Sequence, residues 1–107
     1  MNDKQTPADA SRTVNVKLIG VLASALGRRE VQLDTTAEAT VADVVSVLLK
    51  KADNRQFSDL LIDSGTGDPR TNVIILLDDQ DCNVFEGMKT RMMERTTVTI
   101  IPIAHGG

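Results

Sequence analysis

Gly106 and Gly107 end the sequence two residues after an apolar run, TIIPI, and a backbone without Cβ atoms can lie in a channel too narrow for any other residue. A terminal carboxylate is a poor acyl donor, because its leaving group would be an oxide. Joined to AMP it becomes a mixed anhydride, which a thiolate can attack to give a thioester or, after sulfur transfer, a thiocarboxylate. Extended residues advance roughly 3.3 to 3.6 Å each, so Ala104, His105, Gly106 and Gly107 would carry the carboxylate about 13 Å beyond the last strand, into another protein's buried site. The chain needs no catalytic side chain of its own for this step.

The remaining reactive groups do not assemble into a second chemistry. His105 can titrate near neutrality, but a lone histidine in a tail reads as a contact residue. Cys82 lies in a turn-rich stretch, DDQDCN, without a second thiol or an evident base, and is expected to be a surface or half-buried thiol. Asp78, Asp79 and Asp81 lack the glycine and closing glutamate of a calcium loop, so a solvated hairpin turn is expected and no metal site. GTGDPR has no lysine and no strand-to-helix setting, which excludes a phosphate loop. Met88, Met92 and Met93 with Phe85 read as core or adaptable surface. No set of nucleophile, base and orienter is visible, so the chain reads as a substrate of enzymes and not as an enzyme.

Composition narrows the partners. The 107 residues, 41% hydrophobic, suit one domain with a modest core. Two phenylalanines, no Trp or Tyr, and a net charge of -3 with interleaved signs give neither stacking surfaces nor a field for phosphates, so no nucleic-acid partner is expected. One cysteine rules out a disulfide framework and fits a cytoplasmic protein. No apolar stretch approaches the roughly 20 residues of a membrane span. MNDKQTPADASR has no apolar core and reads as a disordered leader over residues 1–12.

These features must be held by a small set of elements. Val14, Val16 and Leu18 alternate with Asn15 and Lys17, the period of a strand with one buried face. Val31 and Leu33 repeat the pattern after a turn at ALGRR, which suggests a hairpin. In TVADVVSVLLKK, Val41, Val44, Val45, Leu48 and Leu49 follow helical spacing, with Thr40 and Asp43 as a capping-box-like start and Lys50 and Lys51 at the favourable end. The valines are weak helix formers, so packing must hold this helix against a sheet. QFSDLLI fits either a short helix or a strand, and DSGTGDPR has loop chemistry. NVIILL is a compact strand, GMKTRMMERT a loop or single helical turn, and TTVTIIPI the last strand.

With the first and last strands side by side, the helix at 41–51 would cover one face of both. That arrangement is α+β: a β-grasp with a mixed sheet of four to five strands at 13–103, followed by a tail at 104–107. If Val14, Val16, Leu18, Val98 and Ile100 face the helix, then Ile19, Ile101 and Ile103 face the other way and form an apolar, partner-facing patch.

VKLIGVLASALGRREVQLD, TVADVVSVLLKK, NVIILLDDQDCNVFEGM and the ending VTIIPIAHGG together resemble the ubiquitin-like sulfur-carrier family. That family includes the small subunit of molybdopterin synthase, the thiamine-pathway sulfur carrier, the ubiquitin-related modifier and the small archaeal modifiers. The resemblance covers residues 13–107 and is most specific in the tail. It departs from the family at His105, where the molybdopterin-synthase type has a small residue, and at Asp78 and Asp79, where an Asn-Gly turn is common. The resemblance implies an adenylating enzyme of the ubiquitin-activating type as partner, with ATP used by that enzyme and no permanently bound cofactor. It implies that Gly107 reacts and that Ala104, His105 and Gly106 lie in the enzyme's channel. It places Ile19 and Ile101 on the partner-facing side. The activated end would serve as a thiocarboxylate for small-molecule or tRNA thiolation, as an isopeptide to target lysines, or both. A permanent molybdopterin-synthase subunit and a non-covalent module with an inert tail are the alternatives.

Overall fold

The computed structural model describes residues 11–63 and 65–103. Eight elements run in the order β1 (Ser11–Leu18), α1 (Val21–Leu26), β2 (Glu30–Thr36), α2 (Val41–Ala52), α3 (Arg55–Leu61), β3 (Val73–Leu77), β4 (Gln80–Asp81) and β5 (Thr97–Pro102). Short 3-10 turns at Pro69–Thr71, Cys82–Val84 and Gly87–Lys89 join the later strands. The five strands form one sheet in the order β2-β1-β5-β3-β4. β1 and β5 are parallel at its centre, and every other pairing is antiparallel.

The central pair follows from composition. Val14, Val16, Leu18, Val98 and Ile100 supply β-branched and long aliphatic side chains on one face, and all are buried. α2 lies over them with Val41, Val44, Val45 and Leu48 buried. Its capping box is complete: Asp43 N–H donates to Thr40 Oγ1 (3.3 Å) and Thr40 N–H to Asp43 Oδ2 (2.9 Å). Asp53 stops the helix in the left-handed region (φ 46°), its N–H donating to the Leu49 carbonyl at 3.1 Å. The helix therefore extends one residue past the expected end at Lys51.

The segment QFSDLLI resolves as helix, because Asn54 caps it through Phe57 N–H (2.9 Å) while its amide donates to the Ala25 carbonyl (3.2 Å). Phe57 and Leu61, one turn apart, are then both fully buried.

Three expectations are corrected. The connection from β1 to β2 is not a plain hairpin: α1 intervenes, burying Leu22, with Gly20 (φ 61°) and Gly27 (φ 78°) turning the chain at its two ends. Gly27 N–H closes the helix on the Ala23 carbonyl at 2.8 Å. The strand period says nothing about so short a helix, yet VLASAL holds good helix formers.

The leader does not reach residue 12. Ser11 and Arg12 belong to β1 and pair with Thr36 and Thr35. The Thr35 hydroxyl donates to the Arg12 carbonyl (3.2 Å), and the Arg12 guanidinium to the Met92 carbonyl (3.1 Å), so backbone pairing overrides the polarity of these two residues. The rest of the leader, residues 1–10, lies outside the described residues.

Cys82 is neither a surface nor a half-buried thiol but fully buried. Asp81 caps the 3-10 turn through Asn83 N–H (2.9 Å), which rotates Cys82 inward and leaves Val84 and Phe85 outside. Burial pushes the thiol pKa up, and the Asp81 charge adds to the shift. The methionines divide: Met92 is core, Met88 half-buried and Met93 exposed.

Candidate functional site

β5 carries two opposite sets of side chains, and its outward set leads to the tail. In the parallel pairing Leu18 lies opposite Ile100, so both face the core. Ile19 and Ile101 consequently emerge on the uncovered face, as the alternation predicts. Ile19 N–H donates to the Ile100 carbonyl (3.2 Å), carrying the ladder one residue past β1. Ile103 N–H donates to the Asn72 carbonyl (2.9 Å), which fixes the chain beyond Pro102. Ile19 is 43% exposed and Ile103 36%, while Ile101 is half-buried between its neighbours.

The structure adds a residue that strand periodicity could not assign. Ile74 of β3 lies directly opposite Ile101 and is 39% exposed. The run VIILL is apolar throughout, so its outward members look like core until the pairing partner is known. Val21, at the start of α1, is exposed on the segment that follows Ile19 and Gly20.

The same face changes character along the strands. Away from the tail it carries Thr13, Asn15 and Lys17 of β1, Gln32 and Asp34 of β2, and Thr97 and Thr99 of β5. Thr13 Oγ1 donates to Asp34 Oδ1 across this polar half (3.3 Å). The face is therefore graded, polar at the start of β5 and apolar where the chain leaves the sheet.

Of the aspartates around the β3–β4 turn, Asp78 and Asp81 have structural partners. Asp78 (φ 55°) clasps the start of β5: its N–H donates to the Thr97 carbonyl (2.8 Å), and its Oδ1 accepts from Thr97 N–H (3.0 Å). Asp81 is the cap already described. The GTGDPR loop is likewise held structurally, with Asp68 capping Arg70 N–H (2.8 Å) and the Arg70 guanidinium donating to Asn83 Oδ1 (3.0 Å). That guanidinium holds the Asp68 carboxyl below its usual range through its hydrogen bonds. Among the described residues no three His, Cys, Asp or Glu side chains gather around a metal position. No described helix is long and apolar enough to cross a membrane. Ala104, His105, Gly106 and Gly107 lie outside the described residues.

Comparison with known proteins agrees with this architecture. The model of the family described as Urm1 (ubiquitin related modifier) matches residues 13–107. The solution structure of small archaeal modifier protein 1 from Methanosarcina acetivorans is similar at a TM-score of 0.74 and 23% identity, over 92% of this chain and 99% of that one. Urm1 from Trypanosoma brucei superposes with a TM-score of 0.68 at 26% identity, over 91% of this chain and 97% of its own. A further similar chain, at a TM-score of 0.67 and 19% identity over 88% of this chain and 99% of its own, comes from the Amycolatopsis orientalis BexX/CysO complex. No curated protein sequence matches at a significant level. A family match running from the first strand through Gly107, on a five-stranded β-grasp sheet with its helix in place, shows that the chain belongs to the ubiquitin related modifier family.

Proposed function

We propose that the Gly107 carboxylate is the reactive group and that a partner enzyme of the ubiquitin-activating type adenylates it with ATP. A carboxylate oxygen attacks the α-phosphorus and pyrophosphate leaves. Sulfide from a donor enzyme then expels AMP to give a thiocarboxylate. Alternatively, a thioester forms first and a target lysine takes the acyl group as an isopeptide. In this reading the domain is the substrate: it presents the end, and the enzyme supplies the ATP chemistry.

The observation that carries the proposal is positional. The last described residue, Ile103, stands at the apolar end of the open face, and the family match continues through the four residues to Gly107. An enzyme seated on Ile19, Ile74, Ile101 and Ile103 would have the tail within about 13 Å of its surface. Ala104, His105 and Gly106 would then line its channel as contact residues. That a similar chain comes from a crystallised BexX/CysO complex supports a protein partner.

The proposal takes Gly107 as the free end, which intact mass of the protein from its own cells reads directly. With ATP and the cognate activating enzyme, pyrophosphate exchange should depend on the chain and vanish when Gly106 and Gly107 are deleted. Exchange that persists without the diglycine would reduce the domain to a non-covalent module. In the same cells, one oxygen replaced by sulfur identifies the carrier role, and diglycine-dependent conjugates identify the modifier role.

A further inference from the structure

The sheet ends on two unequal edges. β4 closes one side with two residues, whereas β2 closes the other with seven and, among the described residues, pairs only with β1. The Leu18 N–H bond to the Arg29 carbonyl (2.8 Å), with the β1–β2 register, directs the backbone groups of Val31, Leu33 and Thr35 toward β1. Those of Glu30, Gln32, Asp34 and Thr36 point off the edge. The Thr36 carbonyl is turned back onto Ala39 N–H (3.1 Å), but among the described residues Gln32 N–H and Asp34 N–H have no acceptor.

One outward group is held from the helix side. Lys51, in the last turn of α2, donates from Nζ to the Gln32 carbonyl at 2.9 Å. A lysine laid over an edge blocks pairing with another strand. This one is bonded to a neutral carbonyl, and a carboxylate is a better acceptor for its ammonium because the opposite charges add Coulomb attraction. A carboxylate arriving on the helix side would draw Lys51 away and release the Gln32 carbonyl to accept a backbone N–H. Exposed Arg28, Arg29 and Lys50 belong to the same end of the strand, with Glu30 and Asp53 as the acidic residues nearby in sequence.

We infer that the β2 edge docks an extended segment of a partner protein, with acidic residues at the end beside Arg28, Arg29, Lys50 and Lys51. Main-chain pairing with Gln32 and Asp34 would hold the segment, and the basic cluster would select it. A second copy of this chain fits less well. Its own β2 would bring Val31, Leu33 and Thr35 to the helix side, none of them a carboxylate, while its Asp34 lies on the other face. The edge is two strands from β5, roughly 10 Å away, so a docked segment leaves the isoleucines and the tail uncovered.

The test is a titration of the isotope-labelled full chain with a synthetic peptide of alternating valine and isoleucine that ends in two aspartates. Amide shifts should concentrate at Gln32 and Asp34, and methylating the peptide's edge-facing amides should abolish them. Gln32→Pro removes an outward donor without touching the β1 ladder, a place where an edge strand tolerates proline. It should weaken binding about tenfold. Lys51→Ala should weaken the aspartate peptide and flatten its salt dependence, while an asparagine version binds at least as tightly because the Gln32 carbonyl is then free. The inference is overturned by no binding, by shifts centred on Ile74 and Ile101, or by equal affinity for the methylated peptide. It is also overturned if the protein alone sediments as a dimer that Gln32→Pro dissociates. The methylated-peptide arm leaves the protein unaltered and decides the matter even if Gln32→Pro fails to fold.

Discussion

The two faces of β1 and β5 are made from alternate residues of the same two strands, yet they differ in almost every physical respect. On the covered face Val16, Leu18, Val98 and Ile100 are buried in the core. On the open face Asn15, Lys17, Thr97 and Thr99 give way to Ile19 and Ile101 toward the tail. Burial on the first face supplies most of the free energy of folding. The second leaves apolar surface facing solvent, a feature that marks partner sites. If the proposed partner enzyme docks on the open face, stability and recognition occupy opposite sides of one strand pair, and substitutions should separate them.

The largest separation comes from the covered face. Val16 is 0% exposed, so Val16→Asp places a carboxylate where it has no partner and should remove more than about 4 kcal/mol, leaving no cooperative urea transition. The milder Leu48→Ala, on the helix above, should cost about 2–5 kcal/mol in the same measurement. Both should lower activation only in proportion to the fraction unfolded.

On the open face the expected pattern reverses. Ile101→Glu should change stability by less than about 1 kcal/mol while reducing enzyme-dependent pyrophosphate exchange by about tenfold or more. Ile74→Glu, across the strand pair from Ile101, should behave alike. Undiminished exchange in both would remove the isoleucines from the docking surface and break the comparison.

A cap lies on neither face. Thr40→Ala deletes half of the α2 capping box and should cost about 1 kcal/mol in urea with exchange by the folded fraction unchanged. The smallest effect is a pH dependence. The Cys82 thiol has a raised pKa in the fold, so its contribution is complete below the unfolded thiol value, near 8.5, and is lost as pH rises toward the folded value. Urea midpoints taken from neutral to alkaline pH should fall more steeply than those of Cys82→Ala, and a thiol reagent should label the native protein only as fast as it opens.

The central features are legible in the sequence, each for a local reason. α2 is readable because its apolar spacing and its cap agree, and the outward isoleucines at the ends of β1 and β5 because strand alternation carries on through them. Part of what stays hidden is non-local. Ile74 joins the patch only because β3 pairs with β5 in one register. Cys82 is buried because the Asp81 cap turns it toward the core, and α1 is obscured by a strand period on either side of it.

By itself the sequence determined the periodicities, the capped helix, the lone cysteine and the diglycine that follows an apolar strand, because all of these are properties of neighbouring residues. Long-range pairing alone places β1 and β5 parallel at the centre, sets Ile19, Ile101 and Ile74 side by side on the open face, and makes β2, among the described strands, the longer edge of the sheet. The reason is that pairing partners are chosen by burial summed over the whole sheet, and no local window contains that sum.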